Sequence, residues 1–246
     1  MASLNGRTAL VTGGSRGMGA AIALRLARDG ADVAITYVRD EKAAHDVVQK
    51  IEAAGRRGIA LRADAADPAA VTAVVGRAAD ELGRLDILVN NAGVGILGPI
   101  GTLALAEVDQ VLTVNVRAVF LASQAAAARM ERGGRIISMG SCMTERVPGP
   151  GGTLYATSKA ALTGLTKALA RELGGRDITA NLVQPGPVGT DMNPADGPYA
   201  AAQSEMTALG RFGTPDEVAS LVAFLASEEA AYMTGSEVLV DGGHAA

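Results

Sequence analysis

Along the chain, short apolar runs alternate with longer stretches in which apolar side chains recur every three or four positions. The short runs fall at 7–12, 31–37, 58–63, 85–89, 134–140, 178–183 and 237–240. Continuous rather than alternating apolar character predicts strands buried on both faces, as in a parallel sheet. The periodic stretches at 20–28, 41–54, 69–82, 103–132, 155–173 and 215–226 predict helices. Strand and helix alternate to the end, with no repeat or linker. That order predicts one α/β domain over residues 1–246, a doubly wound parallel sheet of about seven strands with helices on both faces. The segment 187–212 fits neither pattern. Its Pro187, Pro194, Gly197, Pro198 and Gly210 among apolar side chains predict a mobile lid over a pocket.

Composition narrows the function classes. Hydrophobic residues make up 48% of the 246, enough for a large core, yet no run reaches the ~18 apolar residues of a membrane span. The start, Met1-Ala-Ser-Leu-Asn-Gly-Arg-Thr, lacks a basic segment followed by an apolar one, so a soluble cytoplasmic protein is expected. Cys142 is the single cysteine, which excludes an internal disulfide framework and a cysteine metal cluster. With His45 and His244 as the two histidines, no metal site is expected either. A net charge of −4 without a basic block argues against nucleic acid as the main partner.

Chemistry gathers where strands end. After 7–12 comes Gly13-Gly14-Ser15-Arg16-Gly17-Met18-Gly19 and then a helix. Missing side chains let a backbone approach a pyrophosphate, and the helix start offers free N–H groups and a favourable dipole. The spacing is Gly-x-x-x-Gly-x-Gly rather than the commoner Gly-x-Gly-x-x-Gly. The second strand ends at Tyr37, where a carboxylate would bind an adenosine ribose 2′-hydroxyl. Arg39 and Arg16 nearby suit a 2′-phosphate instead. Asp64, after the third strand, could meet an adenine amine or cap the helix that follows. Asn90-Asn91-Ala92-Gly93 ends the fourth strand with small and amide-bearing residues that let a cofactor lie close.

Asn115 is a polar amide inside an apolar helix, unusual unless bonded. The fifth strand delivers Ser141 and Cys142 as neighbours, expected to point to opposite faces. Four residues apart on the next helix stand Tyr155 and Lys159, which share one face. A cation beside a phenol stabilises the phenolate and brings its pKa toward neutrality, where it can serve in acid–base work. Pro185-Gly186 and Thr190 follow the sixth strand. Cys142, Val147, Pro187 and Met192 are the expected lining of a fairly apolar substrate pocket.

Taken together, Thr12-Gly-Gly-Ser-Arg-Gly-Met-Gly19, Asn90-Asn-Ala-Gly93, Asn115, Ser141, Tyr155-x-x-x-Lys159 and Pro185-Gly186 resemble the short-chain dehydrogenase/reductase family. Within it the pattern is similar to 3-oxoacyl-carrier-protein reductase-like enzymes. The resemblance implies a Rossmann-type fold and metal-free hydride transfer between NADP(H) and a small-molecule carbonyl or alcohol. It implies Tyr155 as the acid–base residue, with Lys159 binding the nicotinamide ribose and tuning it. Ser141 would hydrogen-bond the carbonyl oxygen, and Asn115 would hold a water linking Lys159 to solvent. Asn91 would lie against the cofactor, Thr190 would contact the carboxamide, and a homotetramer is the implied assembly. Ser141 stands fourteen residues before Tyr155, where thirteen is commoner in the family, and at thirteen this chain has Cys142. The loop Arg146-Val-Pro-Gly-Pro and the segment from Asp191 also resemble cyclic-dinucleotide-binding biofilm mediators, so the alternative is a nucleotide-binding regulator with little turnover.

Overall fold

The computed structural model describes residues 3–246. Seven strands form one parallel sheet in the order β3-β2-β1-β4-β5-β6-β7. They are β1 (Thr8–Val11), β2 (Asp32–Tyr37), β3 (Gly58–Arg62), β4 (Ile87–Asn90), β5 (Arg135–Met139), β6 (Thr179–Pro185) and β7 (Glu237–Val240). The expected fold class is therefore the observed one. Along each strand the apolar residues divide by parity. Ala9, Val11, Val33 and Ile35 face one core with Ile22, Leu26, Val218 and Val222 of helices α1 (Gly17–Arg28) and α8 (Pro215–Ala226). Leu10, Ala34, Leu88 and Ile136 face a second core with α3 (Pro68–Leu82) and α5 (Ala118–Arg129). Both faces are covered, which is why the strands read as continuous apolar runs.

Helix α2 (Glu41–Ala53) begins at Asp40, whose carboxylate accepts from Ala43 N–H at 2.8 Å. Asp67 caps α3 in the same way, ahead of Pro68. Thr214 and Glu217 form a reciprocal capping box at the start of α8. Helix α1 differs: no side chain caps its N-terminus.

Two expected boundaries move. The helix expected over 103–132 is α4 (Leu105–Leu112), a π-helical segment Thr113–Arg117 and α5 in one continuous run. That run is long and apolar enough to cross a membrane by length and composition. Its buried residues Val111, Ala118, Ala122 and Ala126 account for the apolar character by packing inside the protein. The fifth strand ends at Met139, and Cys142–Thr144 form a 3-10 turn capped by Ser141. Ser141 and Cys142 therefore do not alternate as strand neighbours.

Chain direction places the chemistry. Strands β1 and β4 lie side by side while their following helices go to opposite faces, which opens a crevice beyond their C-terminal ends. The glycine turn after β1 and the Asn90–Gly93 stretch after β4 form its two lips. Helix α6 (Thr153–Leu173) enters from the β5 side, and the segment after β6, with the short helix α7 (Ala200–Glu205), closes the third.

Candidate active site

Backbone geometry shapes the glycine turn. Gly13 and Gly17 sit at φ +64° and +54°, in the left-handed region that a side chain strains. A Cβ on Gly19 would lie 2.5 Å from Asn91 Nδ2, so α1 could not approach β4 with any larger residue there. Three side chains fix the turn: Thr36 Oγ1 accepts from Gly13 N–H at 2.9 Å, and Thr12 Oγ1 from Asn91 and Ala92 N–H at 3.0 Å. Asn91 Nδ2 donates to the carbonyls of Thr12 and Gly13 at 2.8 and 3.1 Å. The Asn91 amide is thus spent on bracing the turn, while the residue still borders the cleft. Thr12 opens the glycine-turn motif, whereas Thr36 belongs to no motif; its one signal is a hydroxyl inside an otherwise apolar strand.

Above this turn lies a cavity of about 650 Å³. Gly13, Ser15, Arg16, Gly17, Met18, Gly19, Tyr37, Arg39, Asp64, Asn91, Ala92, Gly93 and Thr190 line it, nearly the whole set expected for the cofactor. Asp64 caps no helix; its carboxylate accepts from Ala66 N–H at 2.9 Å at the cavity's edge. Two acids stand at the Tyr37 end. Asp40 caps α2, and the Glu41 carboxylate lies near the Tyr37 hydroxyl, whose pKa rises through burial and then through that charge. Arg39 stays exposed at the rim, whereas Arg16 leans 3.6 Å from Asp191 on the segment after β6. The uncapped start of α1, the shaped glycines and the free guanidinium make this cleft fit a phosphorylated dinucleotide.

The cavity meets the second cluster at Gly93, where a Cβ would stand 3.4 Å from Lys159 Nζ and 3.3 Å from Asn115 Oδ1. Lys159 is buried and donates to the Met139 carbonyl at 2.8 Å. Burial pushes its pKa down to about 8. Its Nζ lies 5.8 Å from the centroid of the Tyr155 ring. Burial raises the Tyr155 pKa, and the nearby Ser141 hydroxyl opposes that rise. The expected lowering by the ammonium is therefore overturned in direction, because Lys159 aims at Met139 while the phenol loses water. Ser141 Oγ also accepts from Met143 N–H at 3.2 Å, which orients the hydroxyl.

Asn115, in the π-helical segment, accepts from Val94 N–H and donates to Val94 C=O, both at 2.9 Å. Its second N–H goes to Ser158 Oγ at 3.0 Å. Both amide donors are filled, so a water relay cannot start from them. Pro185 and Gly186 lie off the cavity, with Gly186 tight against Asp241. Of the expected substrate lining, Met192 borders the cavity; Cys142, Val147 and Pro187 do not. Cys142 is buried behind Ser141, with its thiol pushed up to about 11 by burial. Val147 is exposed on the loop before α6, and the Pro187 carbonyl accepts from Gly213 N–H. Among the described residues no group of His, Cys, Asp and Glu could hold a metal.

A doubly wound sheet with a phosphate-shaped turn at its switch point, and a Ser–Tyr–Lys cluster beyond it, defines a nucleotide-dependent oxidoreductase site. A family model described as enoyl-(acyl carrier protein) reductase matches residues 13–245. The chain belongs to the short-chain dehydrogenase/reductase family. It is similar to a short-chain dehydrogenase from Burkholderia cenocepacia, solved in complex with NADP, at 56% identity and TM-score 0.98, covering 99% of each chain. A cyclic-di-GMP-binding biofilm dispersal mediator protein of Escherichia coli is 43% identical over 98% of both chains. A 3-oxoacyl-[acyl-carrier-protein] reductase of Staphylococcus aureus is 40% identical over 96% of this chain and 97% of its own.

Burial of Lys159 carries a pH signature. Its folded pKa of about 8 lies below the ordinary 10.5, so the unfolded state binds more protons between those values. Stability then rises with pH across that window, and below about pH 8 the full cost of burying the charge is present. In thermal melts without nucleotide, the parent should gain on Lys159→Met as pH climbs from 8 to 10. A constant difference in Tm between the two would contradict the shift.

Proposed function

We propose that this protein is an NADPH-preferring reductase of ketones or 3-oxoacyl carbonyls, with Tyr155 as proton donor. The observation that carries the reading is Lys159, buried one turn after Tyr155 on α6, with its Nζ 5.8 Å from the centre of the phenol ring and at the Gly93 edge of the cleft. The cleft holds the cofactor, pyrophosphate at the start of α1 and 2′-phosphate near Arg39. Bound NADP(H) supplies or accepts the hydride. Tyr155 gives its proton to the carbonyl oxygen, and its raised pKa keeps the phenol protonated at neutral pH. Ser141, oriented by Met143 N–H, donates to the same oxygen and stabilises the charge that develops there. Lys159 reaches the cofactor ribose past Gly93, and Asn115 holds the Val94 backbone that borders it. Residues 187–212 act as the lid of this one domain.

The mouth supports an apolar substrate. Leu97, Val147, Met192, Tyr199 and Leu209 are exposed on the loops after β4, β5 and β6. Gly98 N–H donates to Gly151 C=O at 2.9 Å, joining the first two of those loops over the site. The second reading, a cyclic-dinucleotide-binding regulator, draws on the Escherichia coli relative. A pure binder has no use for a serine hydroxyl and a buried lysine gathered around a phenol, which favours turnover. Assembly with further copies of the chain, a homotetramer in this reading, would cover Phe120 on α5 and Leu239 on β7, both exposed apolar side chains on regular elements.

The decisive assay is NADPH oxidation against acyl thioesters, diketones and aryl ketones. Tyr155→Phe should abolish turnover with NADPH binding within a few-fold, and retention of a tenth of the parent kcat would refute the proton-donor role. Ser141→Ala should cost about a hundred- to a thousand-fold in kcat, whereas Cys142→Ala should alter mainly KM; the reverse pattern moves the role to the thiol.

Cofactor choice gives a separate outcome. NADPH should exceed NADH in kcat/KM, and Arg39→Asp should shift preference toward NADH. Equal use of both by the parent would count against the phosphate site.

Light scattering at micromolar protein should return four times the 24.8 kDa chain mass. A monomer mass would refute the tetramer.

A further inference from the structure

Ser141 and Tyr155 come from different elements, and their meeting depends on how the turn after β5 sits against α6. The turn is held by Thr144, whose Oγ1 donates to the Ser141 carbonyl at 3.0 Å. Thr144 Oγ1 in turn accepts from Gln184 Nε2 at 2.7 Å. Gln184 is 1% exposed on β6, and its second N–H donates to Glu237 Oε2 on β7 at 3.0 Å. The same carboxylate oxygen accepts from Thr163 Oγ1 on α6 at 2.6 Å, and Oε1 pairs with Lys167 Nζ at 2.8 Å. Thr163 lies eight residues after Tyr155 and four after Lys159. Tyr155, Lys159, Thr163 and Lys167 thus form one slowly turning stripe of α6. Its first half enters the site and its second half rests on Glu237.

We propose that Gln184 and Glu237 are positioning residues, a partly buried hydrogen-bond chain that places the Ser141 turn beside the Tyr155 phenol. The inference rests on the reading that this pair acts on the carbonyl. Each donor and acceptor role along the chain is defined. The hydroxyl of Thr144 has one proton to give, to Ser141, and takes one from Gln184. The Gln184 amide spends both of its protons, and the carboxylate only accepts. No link can be turned around, so the chain has one geometry. Burial works to raise the Glu237 pKa, but hydrogen bonds from Lys167, Thr163 and Gln184 outweigh it and keep the group ionised. An apolar side chain at 184 would fill the same space in the sheet while leaving Thr144 without its donor. The serine turn would then lose its link to Gln184 and Glu237 and keep only its direct packing against α6.

The test is a set of full-length variants with NADPH and a ketone substrate. Gln184→Leu and Glu237→Val should lower kcat about tenfold or more, as misplacement of a reacting group does, with NADPH affinity within twofold. Glu237→Gln keeps both acceptor bonds and should retain kcat within about twofold. Lys167→Met removes the exposed ion pair alone; it should lower Tm without lowering kcat. The deciding measurement is a double-mutant cycle: Ser141→Ala with Gln184→Leu should be no slower than Ser141→Ala alone, because the second change acts through a hydroxyl already gone. Additive losses would assign Gln184 a general structural role and overturn the proposal, as would parent-like kcat in folded Gln184→Leu. If Ser141→Ala itself keeps the parent kcat, the assignment of Ser141 fails, which is a different result from failure of the chain behind it.

Discussion

A lysine ammonium taken out of water, with one protein carbonyl to hold it, is the constraint on which this site depends. Lys159 is buried, and its hydrogen bond goes to the last residue of β5. Desolvating such a charge costs several kcal/mol, which one neutral acceptor does not return. The neighbourhood is built to tolerate that deficit. Gly93 has no side chain to crowd the ammonium, and the buried Asn115 amide is turned onto Val94 and Ser158, leaving Lys159 its line to the cleft. The π-helical segment around Asn115 follows from the same need, since it places a polar residue of a long apolar helix on the site side. The rest of the sheet supplies rigidity against which that strain can be held.

Much of this was legible in the chain because parallel strands and helix faces leave local marks. The seven strands and the helix starts at 41 and 215 follow from runs and caps within a few residues of each other. The glycine turn was legible for a similar reason, since positive φ and close approach both exclude side chains. What stayed hidden depends on partners far along the chain. Thr36 serves Gly13 across 23 residues, and Gln184 serves Thr144 across 40. Hydroxyls and amides in strands have no periodic signature, so nothing in the local pattern marks them as braces. The direction of the Tyr155 shift was hidden too, because proximity in a helix says that two groups are near, not where the ammonium points.

The two ends of the cleft answer different physical problems. At the Tyr37 end Asp40 is turned onto the start of α2 and Glu41 stands by the Tyr37 hydroxyl, while Arg39 stays exposed at the rim. Arg16 sits between uses, bordering the cavity and paired with Asp191 on the far segment. Both members of that pair are largely exposed, so it contributes little to stability. Its consequence is geometric, in that it brings the segment after β6 toward the glycine turn, where Thr190 and Met192 also border the cavity.

At Ser141 and Cys142 a change of backbone alters the placement that strand alternation predicts. Had the strand continued, alternation would have sent one of the two side chains away from the site. Instead the chain leaves the sheet at Met139, and Ser141 adopts an extended conformation as the cap of a 3-10 turn. A capping serine must aim its oxygen at the N–H groups of the turn, and here that turn keeps the hydroxyl in the neighbourhood of Tyr155. Cys142 is the first residue of the turn and is carried behind the serine, where burial keeps its thiol protonated. A thiol is also a weaker hydrogen-bond donor than a hydroxyl. The extra residue between Ser141 and Tyr155 is absorbed by the proline- and glycine-rich loop before α6, which leaves strand and helix where the sheet requires them.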